Sequence, residues 1–362
     1  MPHVAARKSK TPPARRPRAR GRAGTASSLR DVARLAGVSL PTASQALNGR
    51  ARVSTVTRQR VREAARRLRY TPNAAARRLK LGRSNSVAIV PGLNMTGIFS
   101  DLFYRAVLAG VGSVFEEVGV RMLIAPPLRP SSSAPPFVEM AQAREVDGIL
   151  VAGVVEARWV RAALGAGVPV VILDNFVPGV GAPAVVNDNA GGAYAATRHL
   201  LELGHTRIGF VGAAVDYPFG RETQEGYAAA LRDAGLERDP TLEAVIPVDA
   251  DAAFRRSGEL LALADRPSAI FAVTDKQALG VMRAAGAAGL RVPDDISVVG
   301  MDDIELAATT DPPLTTVRIR KDVMGAIAAR ILLGLIAGDR AAGPVTTVAN
   351  ELIIRGTTGG RP

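Results

Sequence analysis

Residues 29–49 read LRDVARLAGVSLPTASQALNG, two short helical patterns joined by a glycine turn. In the first, about Arg30–Ala36, the residues Leu29, Val32, Ala33 and Ala36 share one face at helical spacing. Gly37-Val38-Ser39 ends it, since glycine suits the left-handed position after a helix and serine caps the next one. The second pattern, about Leu40–Leu47, carries Pro41 in its first turn, where a missing N–H costs nothing, and Asn48-Gly49 closes it. A third helix is predicted from near Ser54 to Arg69, with Val61, Ala64, Ala65 and Leu68 inward and Arg58, Arg62, Arg66 and Arg69 on one stripe. Helix, short glycine turn, helix is the helix-turn-helix arrangement. If the second helix buries Ala43, Ala46 and Leu47, then Pro41, Thr42, Gln45 and Asn48 point outward, with Ser44 to one side. Small, uncharged polar residues on that face allow a helix to lie deep in a DNA major groove.

Charge agrees with this reading. Of the 46 lysines and arginines in 362 residues, 22 fall within residues 1–85, against two acids, Asp31 and Glu63. The rest of the chain holds more acids than bases, and a basic front on an acidic body is the electrostatic footprint of a nucleic-acid binder. Residues 1–27 mix Arg, Lys, Pro, Ala and Ser with little to bury, and read as a disordered basic arm that adds salt-sensitive phosphate affinity or is an inert extension. After Tyr70-Thr71-Pro72-Asn73 comes a short segment, Ala74–Leu81, with Arg77, Arg78, Leu79 and Lys80. About eight residues are too few for a stable lone helix in water. The segment is expected to fold on DNA, with Leu79 wedged between base steps from the minor groove.

From Ser86 the texture changes to strand-length apolar runs alternating with helical patterns. Strands are predicted at Val87–Val90, Arg121–Ala125, Gly148–Val151 and Pro169–Leu173, with helices between them near Asp101–Val118, Phe137–Arg144 and Ala157–Ala166. A second round follows: strands at Arg207–Val211, Ala244–Val248, Ala269–Val273 and Ser297–Gly300, and helices at Gly192–Leu203, Gly226–Asp233, Ala252–Ala264 and Lys276–Ala288. Such alternation means parallel sheets with helices on both faces, and two rounds mean two similar subdomains with a ligand cleft at the strand ends between them.

Several classes drop out. No run of about 18 apolar residues is present, so a membrane span is not expected. The Arg- and Pro-rich start lacks an apolar stretch, so no secretory signal is expected and the protein is placed in the cytoplasm. With no cysteine and only three scattered histidines (His3, His199, His205), neither disulfides nor a metal site are expected, and no cofactor motif or catalytic triad is evident. The glycine runs Gly110-Val111-Gly112 and Gly165-Ala166-Gly167 lack phosphate-loop spacing.

Taken together, Leu29–Ser39, Thr42-Ala43-Ser44 and Ala46-Leu47-Asn48-Gly49 closely resemble the headpiece of the lactose and galactose repressor (LacI/GalR) family. Tyr70–Asn73 and Ala76–Lys80 resemble its hinge helix, and Gly204-His205-Thr206-Arg207-Ile208, Val292–Asp303 and Pro313–Val317 resemble segments of its core. The resemblance covers about residues 29–357 and implies a helix-turn-helix headpiece, a hinge helix and a periplasmic-binding-protein-like α/β core of two doubly wound subdomains. It implies a domain plan of 1–27 arm, 28–71 DNA-binding domain, 72–85 hinge and linker, and 86–362 core. Within the core, the first subdomain takes about 86–187 plus 316–345, and the second about 188–315 plus 346–362. It further implies a homodimer on a palindromic double-stranded operator, most often a repressor, with a sugar or sugar derivative as effector. A tetramer is not expected, because no heptad-bearing helix follows Thr357.

Carried over position by position, DNA contacts fall on Ser39, Leu40, Pro41, Thr42, Ser44, Gln45, Asn48, Tyr70, Asn73, Arg77, Leu79 and Lys80. Members often have arginine at the position of Gln45; arginine favours guanine and glutamine adenine, so altered or relaxed operator choice is expected there. The effector positions fall on Phe99, Asp174, Arg221, Thr223, Thr274 and Asp302. Two depart from the family pattern. Thr223 stands where a ligand-binding arginine is usual, with Arg221 two residues earlier, and Thr274 stands where Asn or Asp is common. A solute-binding protein, an enzyme, and a regulator without effector are the competing readings. The headpiece argues against the first and the missing triad against the second, while the departures at Thr223 and Thr274 keep the third open.

Overall fold

The structure, a computed structural model, describes residues 27–47, 53–70, 83–92, 98, 101–126, 135–214, 218–339 and 343–361. These fall in two compact units, divided between Gly82 and Arg83.

In the first unit, helices α1 (Leu29–Ala36), α2 (Leu40–Leu47) and α3 (Thr55–Arg67) enclose a small interior of Val32, Ala33, Ala36, Ala43, Ala46, Val61, Ala64 and Ala65. Local chemistry sets each helix boundary. The Ser28 hydroxyl accepts from the Asp31 N–H while the Asp31 carboxylate accepts the Ser28 N–H, a reciprocal box that satisfies two otherwise unpaired donors. Gly37 ends α1 at φ 62°, a backbone geometry that side-chain-bearing residues resist. Ser39 and Ser54 cap α2 and α3 by accepting from the N–H groups of Thr42 and Thr57, each at 3.3 Å. At the other end, the Ser27 hydroxyl donates to the Leu68 carbonyl at 2.6 Å and ties the start of the unit to the end of α3.

The second unit contains two six-stranded sheets. The first takes β1 (Ser86–Pro91), β2 (Arg121–Ile124), β3 (Gly148–Ala152), β4 (Val170–Leu173), β5 (Ala184–Asn187) and β11 (Val345–Val348), in the order 11-5-4-3-1-2, all parallel. The second takes β6 (Ile208–Gly212), β7 (Glu243–Val245), β8 (Ala269–Ala272), β9 (Ser297–Asp302), β10 (Thr315–Arg318) and β12 (Glu351–Ile353), in the order 12-10-9-8-6-7. Both repeat one doubly wound strand order, with its switch point beside the first strand of each sheet. Only β12, lying against β10, runs antiparallel among the described strands, where purely parallel sheets were expected.

Helices cover both faces, as burial of whole strands requires. The first sheet is packed by α4 (Leu102–Val118), α5 (Pro136–Gln142) and α6 (Ala157–Gly165); the second by α7 (Asn189–Glu202), α8 (Pro218–Asp233), α9 (Ala250–Leu261) and α10 (Asp275–Ala287). A further helix, α11 (Lys321–Ala337), returns to the first sheet and packs closely on α4. Gly110 of α4 lies against the backbone of Asp322, and Gly325 of α11 against the backbone of Val107; a Cβ at either position would collide with a main-chain carbonyl. The chain therefore crosses from the second subdomain to the first after β10 and back after β11. Residues 315–318 pair in the second sheet and 345–348 in the first, so the expected crossing points near 316 and 345 each move a few residues toward the C-terminus.

The last residues are pinned to the second subdomain. His205, fully buried, contacts the Ser268 hydroxyl at 2.9 Å, the Ser297 hydroxyl at 3.0 Å and the Gly359 carbonyl at 3.0 Å. Both it and His199, which meets Thr358 at 3.0 Å, hold the C-terminal segment in place.

Candidate functional site

The outward flank of α2 carries the residues expected to read DNA. Ala43 and Ala46 are buried beneath it, Ser39, Leu40 and Pro41 are exposed, and Thr42, Ser44 and Gln45 are half-buried. The Ser39 and Thr42 hydroxyls lie 2.7 Å apart, so both act in the helix cap and keep lone pairs for an outside donor. Tyr70, half-buried, packs on the headpiece interior and its N–H donates to the Ala65 carbonyl at 2.8 Å. On α3, Arg62 and Arg66 are exposed, as is Arg69 just beyond its end, while Arg67 pairs with Glu63 at 3.1 Å. Asn48, Asn73, Arg77, Leu79 and Lys80 lie outside the described residues, as does the expected hinge helix.

The core holds a cavity of about 620 Å³ at the carboxyl ends of strands from both sheets. Asp174 follows β4, Thr274 follows β8 and Asp302 ends β9, and all three line it. Asp101, Phe103 and Tyr104 reach it from the start of α4, and Asn187 and Asn189 from the end of β5 and the start of α7. Asp174 and Asp302 adopt positive φ, 57° and 129°, at the turns where their strands give way to loops. The Tyr104 hydroxyl donates to Asp174 Oδ2 at 2.8 Å. Burial outweighs that bond and pushes the Asp174 carboxyl up to about 7, and it drives the Tyr104 hydroxyl higher still. Asp302 is likewise held well above the ordinary carboxylate range, first by burial and then by the neighbouring Asp275.

Two of the expected effector residues are misplaced by the sequence reading. Arg221 lies on the exposed side of α8, 3.9 Å from Glu225, and does not line the cavity. Thr223 is fully buried within α8, its hydroxyl donating to the Phe219 and Gly220 carbonyls at 2.7 and 3.1 Å. Helical spacing explains both: α8 begins at Pro218, eight residues earlier than the apolar pattern indicates, and its first turns rotate these side chains away from the cavity. Thr274 borders the cavity but is engaged as the cap of α10, accepting from the Gln277 N–H at 3.2 Å. Phe99 lies outside the described residues.

Residues 28–73 match the family model of bacterial regulatory proteins, lacI family, and residues 197–358 match that of a periplasmic binding protein-like domain. The chain is 34% identical to the HTH-type transcriptional regulator CelR of Thermobifida fusca over 330 residues, 90% of this chain and 97% of that protein. The chain belongs to the LacI family. It is a DNA-binding transcriptional regulator and not an enzyme. Among solved structures, a CelR–cellobiose complex aligns with a TM-score of 0.69 at 33% identity, covering 91% of this chain and 99% of that one. The lac repressor dimer bound to operator and the anti-inducer ONPF aligns with a TM-score of 0.79 at 26% identity, covering 92% and 99%.

Within this LacI-family core, the sequence reading missed Tyr104, Asp101, Asn187 and Asn189. Asn187 and Asn189 flank Asp188 directly after β5, a four-residue strand whose pattern is too short to register, so nothing marked them as strand-end residues. Asp101 carried a signal of its own, an acid directly before an apolar helical run. It caps α4 by accepting from the Phe103 N–H at 2.9 Å while also lining the cavity. Among the described residues no helix is long and apolar enough to cross a membrane, and no cluster of His, Cys, Asp or Glu is arranged for a metal ion.

Proposed function

We propose that this regulator is a cytoplasmic repressor that binds a palindromic operator as a homodimer and is controlled by a sugar or sugar derivative in the core cavity. The observation that carries this reading is the acceptor-rich cavity at the strand ends, on the same chain as a LacI-family headpiece. Carboxylates and amide oxygens suit sugar hydroxyls, each of which has a proton to donate. A cavity of about 620 Å³ falls in the range of small-molecule sites. The solved complex of CelR with cellobiose supports the same ligand class.

A dimer is supported by the lac repressor structure, which is a dimer on its operator, and by the strand β2. All four of its residues are exposed at the edge of the first sheet, among them Met122, Leu123 and Ile124. An apolar sheet edge left in water is a template for association. Two chains related by a two-fold axis then place two α2 helices on inverted half-sites. Ser39, Leu40, Pro41, Thr42, Ser44, Gln45 and Asn48 read the major groove, and Tyr70, Asn73, Arg77, Leu79 and Lys80 act at the hinge and minor groove. Asp174, Thr274 and Asp302 hold the effector. The effector acts by population shift, stabilising one arrangement of the two subdomains and thereby changing operator affinity.

One experiment tests the whole reading. Operator sequences are selected from a random DNA pool by the full-length protein, and the winner is assayed by gel shift against a panel of mono- and disaccharides. The expected result is a sequence of two inverted half-sites and at least one sugar that changes its affinity by about fivefold or more, the lower end of ordinary allosteric coupling. A non-palindromic winner overturns the dimer reading, and indifference to every sugar overturns the effector reading.

A further inference from the structure

The polar groups around the cavity are unequally used: its hydroxyl and amide donors are engaged within the protein, while several acceptors keep room for a further donor. The Tyr104 hydroxyl donates to Asp174, and the Thr274 hydroxyl donates to Gln277 Oε1 at 3.0 Å. Lys276 stands at the exposed rim and turns to the Val248 carbonyl at 3.4 Å and Asp249 at 3.6 Å. Lys321, buried nearby, donates to the backbone carbonyl of Asp302, and its charge favours that residue's carboxylate without offsetting burial and the neighbouring Asp275.

One acceptor is held in place by a relay. Glu222 of α8 accepts from Asn189 Nδ2 at 2.9 Å, and Asn189 Oδ1 in turn accepts from Asn187 Nδ2 at 2.8 Å. A carboxylate can only accept, so Glu222 sets which end of the Asn189 amide faces it, and Asn189 then sets the Asn187 amide. The amide oxygen of Asn187 is what remains. Asn187 lines the cavity, is 3% exposed, and its Oδ1 has no partner among the described residues. A buried acceptor without a donor is costly, and such a group in a binding cavity marks where a ligand supplies the missing proton. The carboxylates of Asp101, Asp174 and Asp302 line the same cavity.

We infer that the effector carries a protonated amine, an amino sugar and not a neutral one, received by the Asn187 oxygen and the carboxylates of Asp174 and Asp302. This rests on the sugar reading of the same cavity and narrows it. An ammonium group offers three donors and a positive charge to a wall that offers acceptors and negative charge. The raised positions of Asp174 and Asp302 agree with this. Each carboxyl is disfavoured in its charged form as it stands, and a cation beside it restores that form. Glu222, separated from the ligand by Asn189 and Asn187, is a positioning residue: it fixes the polarity of the relay without touching what the relay holds.

Isothermal titration of the full-length protein with three disaccharides of one shape tests the inference: cellobiose, the β-linked glucosamine disaccharide, and its N-acetylated form. The glucosamine disaccharide is expected to bind about tenfold tighter than cellobiose or more, the worth of one charge-assisted hydrogen bond, with the acetylated form losing that advantage. In Glu222→Gln the relay no longer has a fixed polarity, because a glutamine amide can present either end, and the affinity ratio between the amine and cellobiose is expected to fall toward one. If that variant fails to fold, the three-ligand comparison on the unaltered protein still decides. Cellobiose or the acetylated sugar binding as tightly as the amine overturns the inference and leaves the sugar reading standing. No binding of any of the three overturns the inference, and the sugar reading then falls or stands on the wider panel of mono- and disaccharides.

Discussion

The headpiece and the core are built from different materials. Among the described residues, the fully buried interior of the headpiece is made of alanines and valines, with Leu29, Leu47, Leu68 and Tyr70 packed partly buried against it. The core buries Phe115, Phe137, Phe210, Phe271 and Tyr227 beneath its sheets, with Trp159 almost covered. Small side chains bury little area each, and a domain of this size is marginal to begin with. The headpiece therefore leans on local devices: the Ser28–Asp31 box, the Gly37 turn and the caps at Ser39 and Ser54. The core has stability in reserve, and it keeps ionisable groups such as Asp174 and Asp302 in positions that oppose their charge. One unit trades stability for a thin helix with an exposed flank, the other for a polar cavity.

The largest effect that would break this comparison comes from the headpiece interior. Ala46 is completely buried beneath α2. In Ala46→Asp an unpaired carboxyl enters a space lined by alanine and valine, at a cost of several kcal/mol, comparable to the whole stability of so small a unit. Operator binding is expected to fall by about a hundredfold or more. Melting of the core, followed by calorimetry, is expected to stay where it was, since the two units are separately compact. A core transition that moves with the headpiece would show that the two are one cooperative body.

A smaller effect belongs to the core, and its sign follows from linkage. The Asp174 carboxyl is raised to about 7 in the fold, whereas in the unfolded chain it titrates near 3.8. Its contribution is therefore most favourable below pH about 4 and is lost as pH rises through about 7, because the unfolded chain can carry the charge that the fold resists. Asp174→Asn keeps an acceptor for the Tyr104 hydroxyl and has no proton to lose. The stability of the variant relative to the original is expected to rise by about 2–3 kcal/mol between pH 5 and pH 8, two pKa units at about 1.4 kcal/mol each. Urea unfolding at the two pH values measures it. A difference that does not change with pH would place the carboxylate in a more solvated setting than the cavity provides.

What could be read from sequence follows the same division. The three headpiece helices were legible almost to the residue, because each begins at a serine cap and the first ends at Gly37, and these roles are local. In the core the eight predicted strands were all found, each an apolar run between turns. Four others, β5, β10, β11 and β12, were not, nor was α11. The strands are three or four residues long and rich in threonine or polar ends, and they exist because a neighbouring strand is there to pair with. The helix α11 is apolar on nearly every side, as befits an element pressed between the first sheet and α4, so it shows no amphipathic period. The cavity divides likewise. Asp174 and Asp302 follow recognisable strands. Asn187 ends one that is not recognisable, and its unpaired oxygen is set by a relay through Glu222, 35 residues further along the chain.

The finest test of the comparison sits one residue away from Ala46. Gln45 is half-buried on the outward flank of α2, and the same eight-residue helix thus carries a buried residue and the proposed recognition residue side by side. Glutamine pairs with the N6 and N7 edge of adenine, and arginine with the O6 and N7 edge of guanine. In Gln45→Arg the preferred base at one symmetry-related pair of operator positions is expected to move from adenine to guanine, a discrimination of about 1–3 kcal/mol per half-site. Selection from a random DNA pool with both proteins reads the change directly. Headpiece melting is expected to stay constant, because the substitution leaves the alanine interior and both caps intact. An unchanged operator would show that Gln45 does not reach a base edge. A changed melting temperature would show that the two faces of α2 are not independent, and that in so small a unit recognition cannot be altered without touching the fold.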